Sequence, residues 1–208
     1  GFNVKGGVLT LERGSIVNCT DADGDILKTP EVGTLRSLLQ AISNPRQDIP
    51  LLAALASPVF GFTADDLAVI RGGKKDGCFF DALLESSSLK TKDFLEKLDH
   101  FRGLARMQTL TQLLEQIFLE TNLDGIYAAG SGGDGAKENL RQFYLLAAEF
   151  EQGQLCTLER FLDHLERREE KGLSKSANQD PGAVRLMTIH SSKGLEFPVV
   201  FLCDLSRK

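Results

Sequence analysis

Two short apolar runs, residues 184–189 and 199–205, bracket a polar loop at 190–197, and this pattern restricts the fold more than any other stretch. Each run is bounded, partly β-branched and too short for a membrane span, which suits a buried strand. The loop between them holds a histidine, a lysine, a glutamate and one glycine. Loops at strand ends are where α/β sheets keep their ligand groups, because the sheet fixes the geometry and the loop supplies the chemistry. The chain is therefore expected to end in part of an α/β sheet carrying a site. The plainer alternative is a strand-loop-strand whose polar residues merely close a turn.

The loop's spelling is Thr188-x-His190-x-x-Lys193-Gly194-Leu195-Glu196-Phe197. It resembles motif V of the UvrD/Rep/RecB superfamily of ATP-driven DNA helicases. A match spanning ten residues, seven of them specified, between two expected strands is far more specific than a lone glycine pattern. The resemblance implies a loop that reaches two ligands. Thr188 and His190 would hydrogen-bond a phosphate of single-stranded DNA, with Lys193 on the same side. Gly194 and Glu196 would face the nucleotide, Glu196 accepting from the ribose hydroxyl.

The 208 residues suffice for one or two domains with a proper core. Charged residues at 25% and hydrophobic ones at 42% are ordinary for a globular protein. No apolar run is long enough to span a membrane, and no signal-peptide pattern opens the chain. Cys19, Cys78, Cys156 and Cys203 are scattered, without metal-ligand spacing, so reduced thiols in a cytoplasm are expected. The net charge of −5 argues against a free-standing, high-affinity DNA-binding domain, since neutralising phosphates takes Lys and Arg. An abrupt start, and a stop at Lys208 directly after an expected core strand, read as a piece of a larger machine.

Taken in order, residues 8–12 and 15–19 suggest a small hairpin across Arg13-Gly14. The acidic stretch 21–25 misses the calcium-loop pattern, with glycine at position four and Val32 at position twelve, and reads as a polar turn. Thr29-Pro30-Glu31 is a helix start, a capping hydroxyl followed by proline and an acid. Val32, Leu35, Leu38, Leu39 and Ile42 follow at helical spacing until Asn44-Pro45. Further helices are expected at 51–56, from a Thr63/Asp66 capping box toward Ile70, and at 78–84. Others follow around Phe94 to Ala105, Leu110 to Phe118 behind Thr109, 136–150, and Leu158 to Leu165. The charged run 166–171 mixes signs and reads as a solvated face, and 172–182 as a linker.

The six residues from Gly130 to Gly135 spell a three-glycine dinucleotide pattern, but no strand precedes them, so a loop between helices is expected. No Gly-x-x-x-x-Gly-Lys-[Ser/Thr] occurs anywhere, so these residues alone should not hydrolyse ATP by the P-loop mechanism. Leu39-x-x-Ile42-x-Asn44-Pro45-Arg46-Gln47-Asp48-Ile49-Pro50-Leu51, with Ser57-Pro58-x-x-Gly61-Phe62, resembles the helical insertion of the AddA (RexA) family of helicase-nuclease subunits. Read structurally, Asn44-Pro45 stops a helix and Arg46 and Asp48 pair; an exposed arginine can also meet DNA.

The resemblance covers most of the chain from Thr29 onward, and residues before Asp25 depart from it. It implies a mainly α fold: a helical 2B-like body at 29–172, then 173–208 as linker and motif V strands of an incomplete RecA-like α/β sheet. Residues 1–28 would be an irregular or hairpin lead-in belonging to the flanking RecA-like domain. The implied activity is that of an ATP-dependent helicase/exonuclease acting in double-strand-break repair and recombination. ATP and Mg would serve the complete protein, with none bound by this stretch alone. DNA and an AddB-like subunit would be the partners. A UvrD/Rep repair helicase or RecB is the alternative within the class. A non-catalytic helical interaction module is the alternative outside it.

Overall fold

The computed structural model describes residues 2–5, 8–11, 26–130, 133–153 and 156–170. The chain separates into two units. One is residues 25–175; the other is discontinuous, joining 1–24 with 176–208. Of the second, only a hairpin is described. Its strands β1 (Phe2–Lys5) and β2 (Val8–Leu11) are antiparallel, Phe2 opposite Leu11 and Lys5 opposite Val8. The first segment of the expected 8–12 and 15–19 hairpin is present as β2 and pairs with Phe2–Lys5, while 15–19 lies outside the described residues. The overlooked signal is Gly6-Gly7, two adjacent residues free to take positive φ, as a two-residue hairpin turn demands. The strands expected at 184–189 and 199–205, and the turn at 21–25, lie outside the described residues.

Unit 25–175 is helical throughout its described part. A 3-10 turn, Ile26–Lys28, leads into α1 (Pro30–Ser43), followed by α2 (Asp48–Ala56), α3 (Ala64–Gly73), α4 (Phe79–Glu85) and α5 (Leu89–Met107). Then come α6 (Leu110–Thr121), α7 (Leu123–Ala129), α8 (Gly133–Gly153) and α9 (Leu158–Glu170). The mainly α expectation holds for this part of the chain.

The axis of the unit is α1, which packs on α2, α5, α7, α8 and α9. Val32, Leu35, Leu38, Leu39, Ala41 and Ile42 are buried, as their helical spacing requires. Neighbours on so many sides also bury Glu31 and Thr34. Each keeps a partner, as a buried polar group must. Glu31 accepts from the Asn139 amide at 2.7 Å, and Thr34 shares a 2.6 Å hydrogen bond with the Tyr127 hydroxyl. The rest of the core is phenylalanine-rich, with Phe94, Phe101, Phe143 and Phe161 fully buried. Edge-to-face contacts join Phe60 and Phe62 to Phe94, and Phe143 to Phe161.

Helix starts follow local chemistry at two of the three expected caps. Thr63 accepts from the Asp66 N–H while the Asp66 carboxylate accepts from the Thr63 N–H, a complete capping box. That backbone bond, helped by the Lys90 ammonium, holds the Asp66 carboxyl below its usual range. Thr109 and Gln112 form the second box, at the start of α6. Thr29 does not cap. Its hydroxyl donates backward to the Ile26 carbonyl at 2.8 Å, so the α1 start rests on Pro30 in the first turn.

Several boundaries move, among them three inside or beside expected loops. α2 starts at Asp48 instead of Leu51, α3 runs past Ile70 to Gly73, and α8 begins at Gly133 within the glycine-rich stretch expected to be a loop. Glycine disfavours helix only by about 1 kcal/mol, which packing of α7 against α8 can override. A helix also precedes that stretch, so it has no strand to make a dinucleotide cradle.

The one helix without a sequence expectation is α7. Asn122, left-handed at φ 49°, ends α6 and starts α7 in a single residue. A Cβ on Gly125 would lie 2.4 Å from the Asn122 side-chain oxygen, so a larger residue there would have to displace the Asn122 amide.

Candidate functional site

Thr188, His190, Lys193, Gly194 and Glu196 all lie outside the described residues, so no geometry is assigned to them. The second candidate, Asn44 to Asp48, is described in full. Asn44 ends α1, its side chain accepting from the Arg46 N–H at 3.1 Å, and Pro45 is buried. The expected stop is therefore present.

The expected pairing of Arg46 with Asp48 is corrected, because each reaches a different, distant partner. Arg46 spans to Asp81 of α4, at 3.0 Å, and touches the Cys78 sulfur. Asp48 accepts from the Phe79 N–H at 2.7 Å, capping α4 from another helix, and its other oxygen lies 3.8 Å from Arg71. The Arg71 guanidinium also covers the Phe79 ring and donates to the Gly77 carbonyl. Gly77 itself sits at φ +85°, where a side chain would be strained. The corner thus clamps the α1–α2 turn onto the start of α4.

Its electrostatics agree with a structural role. A hydrogen bond from the Cys78 thiol, then the Arg46 guanidinium, hold the Asp81 carboxyl below its usual range. Lys74 pairs with Glu85, which raises its ammonium pKa, and Lys90 pairs with Asp66 at 2.9 Å. Arg46, Arg71, Lys74 and Lys90 are each matched by a carboxylate of the same unit. Residues 26–170 as a whole carry 22 Asp and Glu against 16 Lys and Arg, an unfavourable balance for phosphate binding.

Removing Asp48 should therefore matter more than removing Arg46. Asp48→Ala leaves the Phe79 N–H uncapped and is expected to cost about 1–2 kcal/mol in urea unfolding. Arg46→Ala, at a side chain 63% exposed, should change stability little. The reverse ranking would refute the clamp. Among the described residues, no three His, Cys, Asp or Glu side chains converge to hold a metal, and no helix is long and apolar enough to cross a membrane.

The chain belongs to the UvrD-like helicase C-terminal domain family, matching it over residues 11–208. The match starts well before Asp25, so the N-terminal residues follow the family more closely than the sequence reading expects. The chain is 40% identical over 192 residues to an ATP-dependent helicase/nuclease subunit of Listeria monocytogenes, covering 87% of this chain and 16% of that protein. It is 38% identical over 213 residues to the protein of the same name from Geobacillus thermodenitrificans, covering 95% and 17%. A Ruminiclostridium cellulolyticum protein of that name is 37% identical over 208 residues, again covering 95% and 17%. The chain thus spans about a sixth of the length of the curated relatives it matches.

Proposed function

We propose that this chain forms the helical insertion and motif V of an ATP-dependent DNA helicase/nuclease that works in double-strand-break repair. Its role there is to couple nucleotide state to the grip on single-stranded DNA. The observation that carries the reading is the Thr188 to Phe197 spelling inside a UvrD-like helicase domain. Support comes from the division into units, since residues 25–175 interrupt a unit made of 1–24 and 176–208, as an inserted domain does. The names of the similar proteins carry both helicase and nuclease.

In this reading Thr188, His190 and Lys193 take the DNA backbone, and Gly194 and Glu196 take the nucleotide. The chain has no P-loop to hold phosphates and magnesium, so no hydrolytic step is derived from it. Duplex DNA at the helical body and an AddB-like partner protein belong to the same proposal. The acidic balance of residues 26–170 favours a second reading, a helical module that docks a partner protein. A docking module has no use for the 188–197 loop.

Two substitutions in the complete protein test the coupling. Glu196→Gln keeps the shape and removes the charge. A charge-assisted hydrogen bond contributes roughly 1.5–3 kcal/mol, so nucleotide affinity should fall about ten-fold or more. His190→Ala should leave nucleotide affinity nearly intact while weakening single-strand binding and DNA-stimulated turnover. If both variants lower only the melting temperature, the loop is structural and the reading fails.

A further inference from the structure

Three polar residues on the first two turns of α1 each tie a different later helix: Glu31 to Asn139 of α8, Thr34 to Tyr127 of α7, and Arg36 to Glu169 of α9. The third tie differs in its surroundings. α9 is anchored by Phe161, Leu162 and Leu165, all buried, and beyond Leu165 its sequence is Glu-Arg-Arg-Glu-Glu. That last turn has no apolar side chain, and only Arg168 and Glu169 of residues 166–169 are half-buried. At the negative end of the helix dipole it carries Glu169 beside Arg167 and Arg168, the carboxylate unfavourable there and the cations favourable. Arg36, its side chain 18% exposed, brings a cation to this turn from the central helix, 2.7 Å from Glu169. Arg168, on the same turn, has contacts of its own.

We propose that Arg36 and Glu169 form an ionic clasp, and that residues 166–170 open on their own when it is broken. The chain enters unit 25–175 just before α1 and leaves it just after α9. The clasp therefore ties the first helix of the unit to the last turn before the exit. Opening there leaves the Phe143–Phe161 contact intact, because that contact lies two turns deeper in α9. A partly buried pair is screened by salt less than an exposed one, yet it still weakens as ionic strength rises.

Native-state hydrogen exchange on the 208-residue chain tests this without nucleotide or DNA, so its outcome is independent of the helicase reading. In Arg36→Gln and in Glu169→Gln, the amides of 166–170 should exchange roughly ten-fold faster, as loss of a charge-assisted bond predicts. Amides of α1 and α8 should stay within about two-fold of the parent. The double variant should add nothing further, since the two residues share one interaction. Raising salt from about 0.05 M to 1 M should speed exchange at 166–170 in the parent and not in the variants. Unchanged exchange at 166–170, or amides there already unprotected in the parent, overturns the clasp. Equal acceleration throughout α1 and α8 also overturns it, because the pair would then hold the whole unit.

Discussion

Phe161→Ala is expected to cost about 3–5 kcal/mol of unfolding free energy, among the largest losses expected from a single truncation among the described residues. Phe161 is fully buried, and its ring lies 5.7 Å from Phe143 in an edge-to-face arrangement and 5.4 Å from Phe150. Truncation removes the burial of a large ring, leaves a cavity between α8 and α9, and forfeits aromatic contacts of roughly 0.5–1.5 kcal/mol per pair. Domains of this size are stable by only about 5–15 kcal/mol, so a sizeable share of the total is at stake. Urea unfolding followed by far-ultraviolet circular dichroism measures it. A loss below about 1.5 kcal/mol would mean that α9 is not seated on α8 as described.

A second large effect, of a different origin, is expected at Asn139. Its amide is the donor to Glu31, a carboxylate-bearing residue only 4% exposed at the start of the central helix. Asn139→Ala deletes the donor and leaves the acid in place. A buried charged group that loses its partner costs more than a neutral one, so about 2–3 kcal/mol should be lost. The informative comparison is Glu31→Leu with Asn139→Leu. Replacing both partners by apolar groups of similar size is expected to recover most of that loss, because nothing polar is then left stranded. If the double variant is no better than Asn139→Ala alone, the cost lies in packing and not in the unpaired carboxylate.

Both predictions rest on neighbours that a linear reading does not contain. The helical spacing of Val32, Leu35, Leu38, Leu39 and Ile42 marks α1 as a helix, and it does not say that α1 is surrounded. Helical periodicity identifies one buried stripe; burial of Glu31 and Thr34 requires α7 and α8 on a second face. The same limit explains the misread polar residues. Arg46 and Asp48 sit two residues apart, which suggests a pair, yet their partners lie 35 and 31 residues away in α4. Thr29 has the residue type and position of a cap, but the 3-10 turn before it offers the Ile26 carbonyl first. Among the candidate residues, Thr188, His190, Lys193, Gly194 and Glu196 are legible only as a spelling, and their geometry stays with the proposal.

The sequence by itself determined the helix-dominated character of 30–170, the stop at Asn44, the capping boxes at Thr63 and Thr109, and membership of the helicase family. All of these depend on residues within about four positions of one another, or on a contiguous motif, so local chemistry suffices. Only the tertiary structure decided that β2 pairs backward with Phe2–Lys5, that Asn122 divides α6 from α7, and that Asp48 caps α4. It also decided that Arg36 meets Glu169, 133 residues later. A charged tip reaches several ångströms in any direction, and which opposite charge comes within that reach is set by how the helices pack.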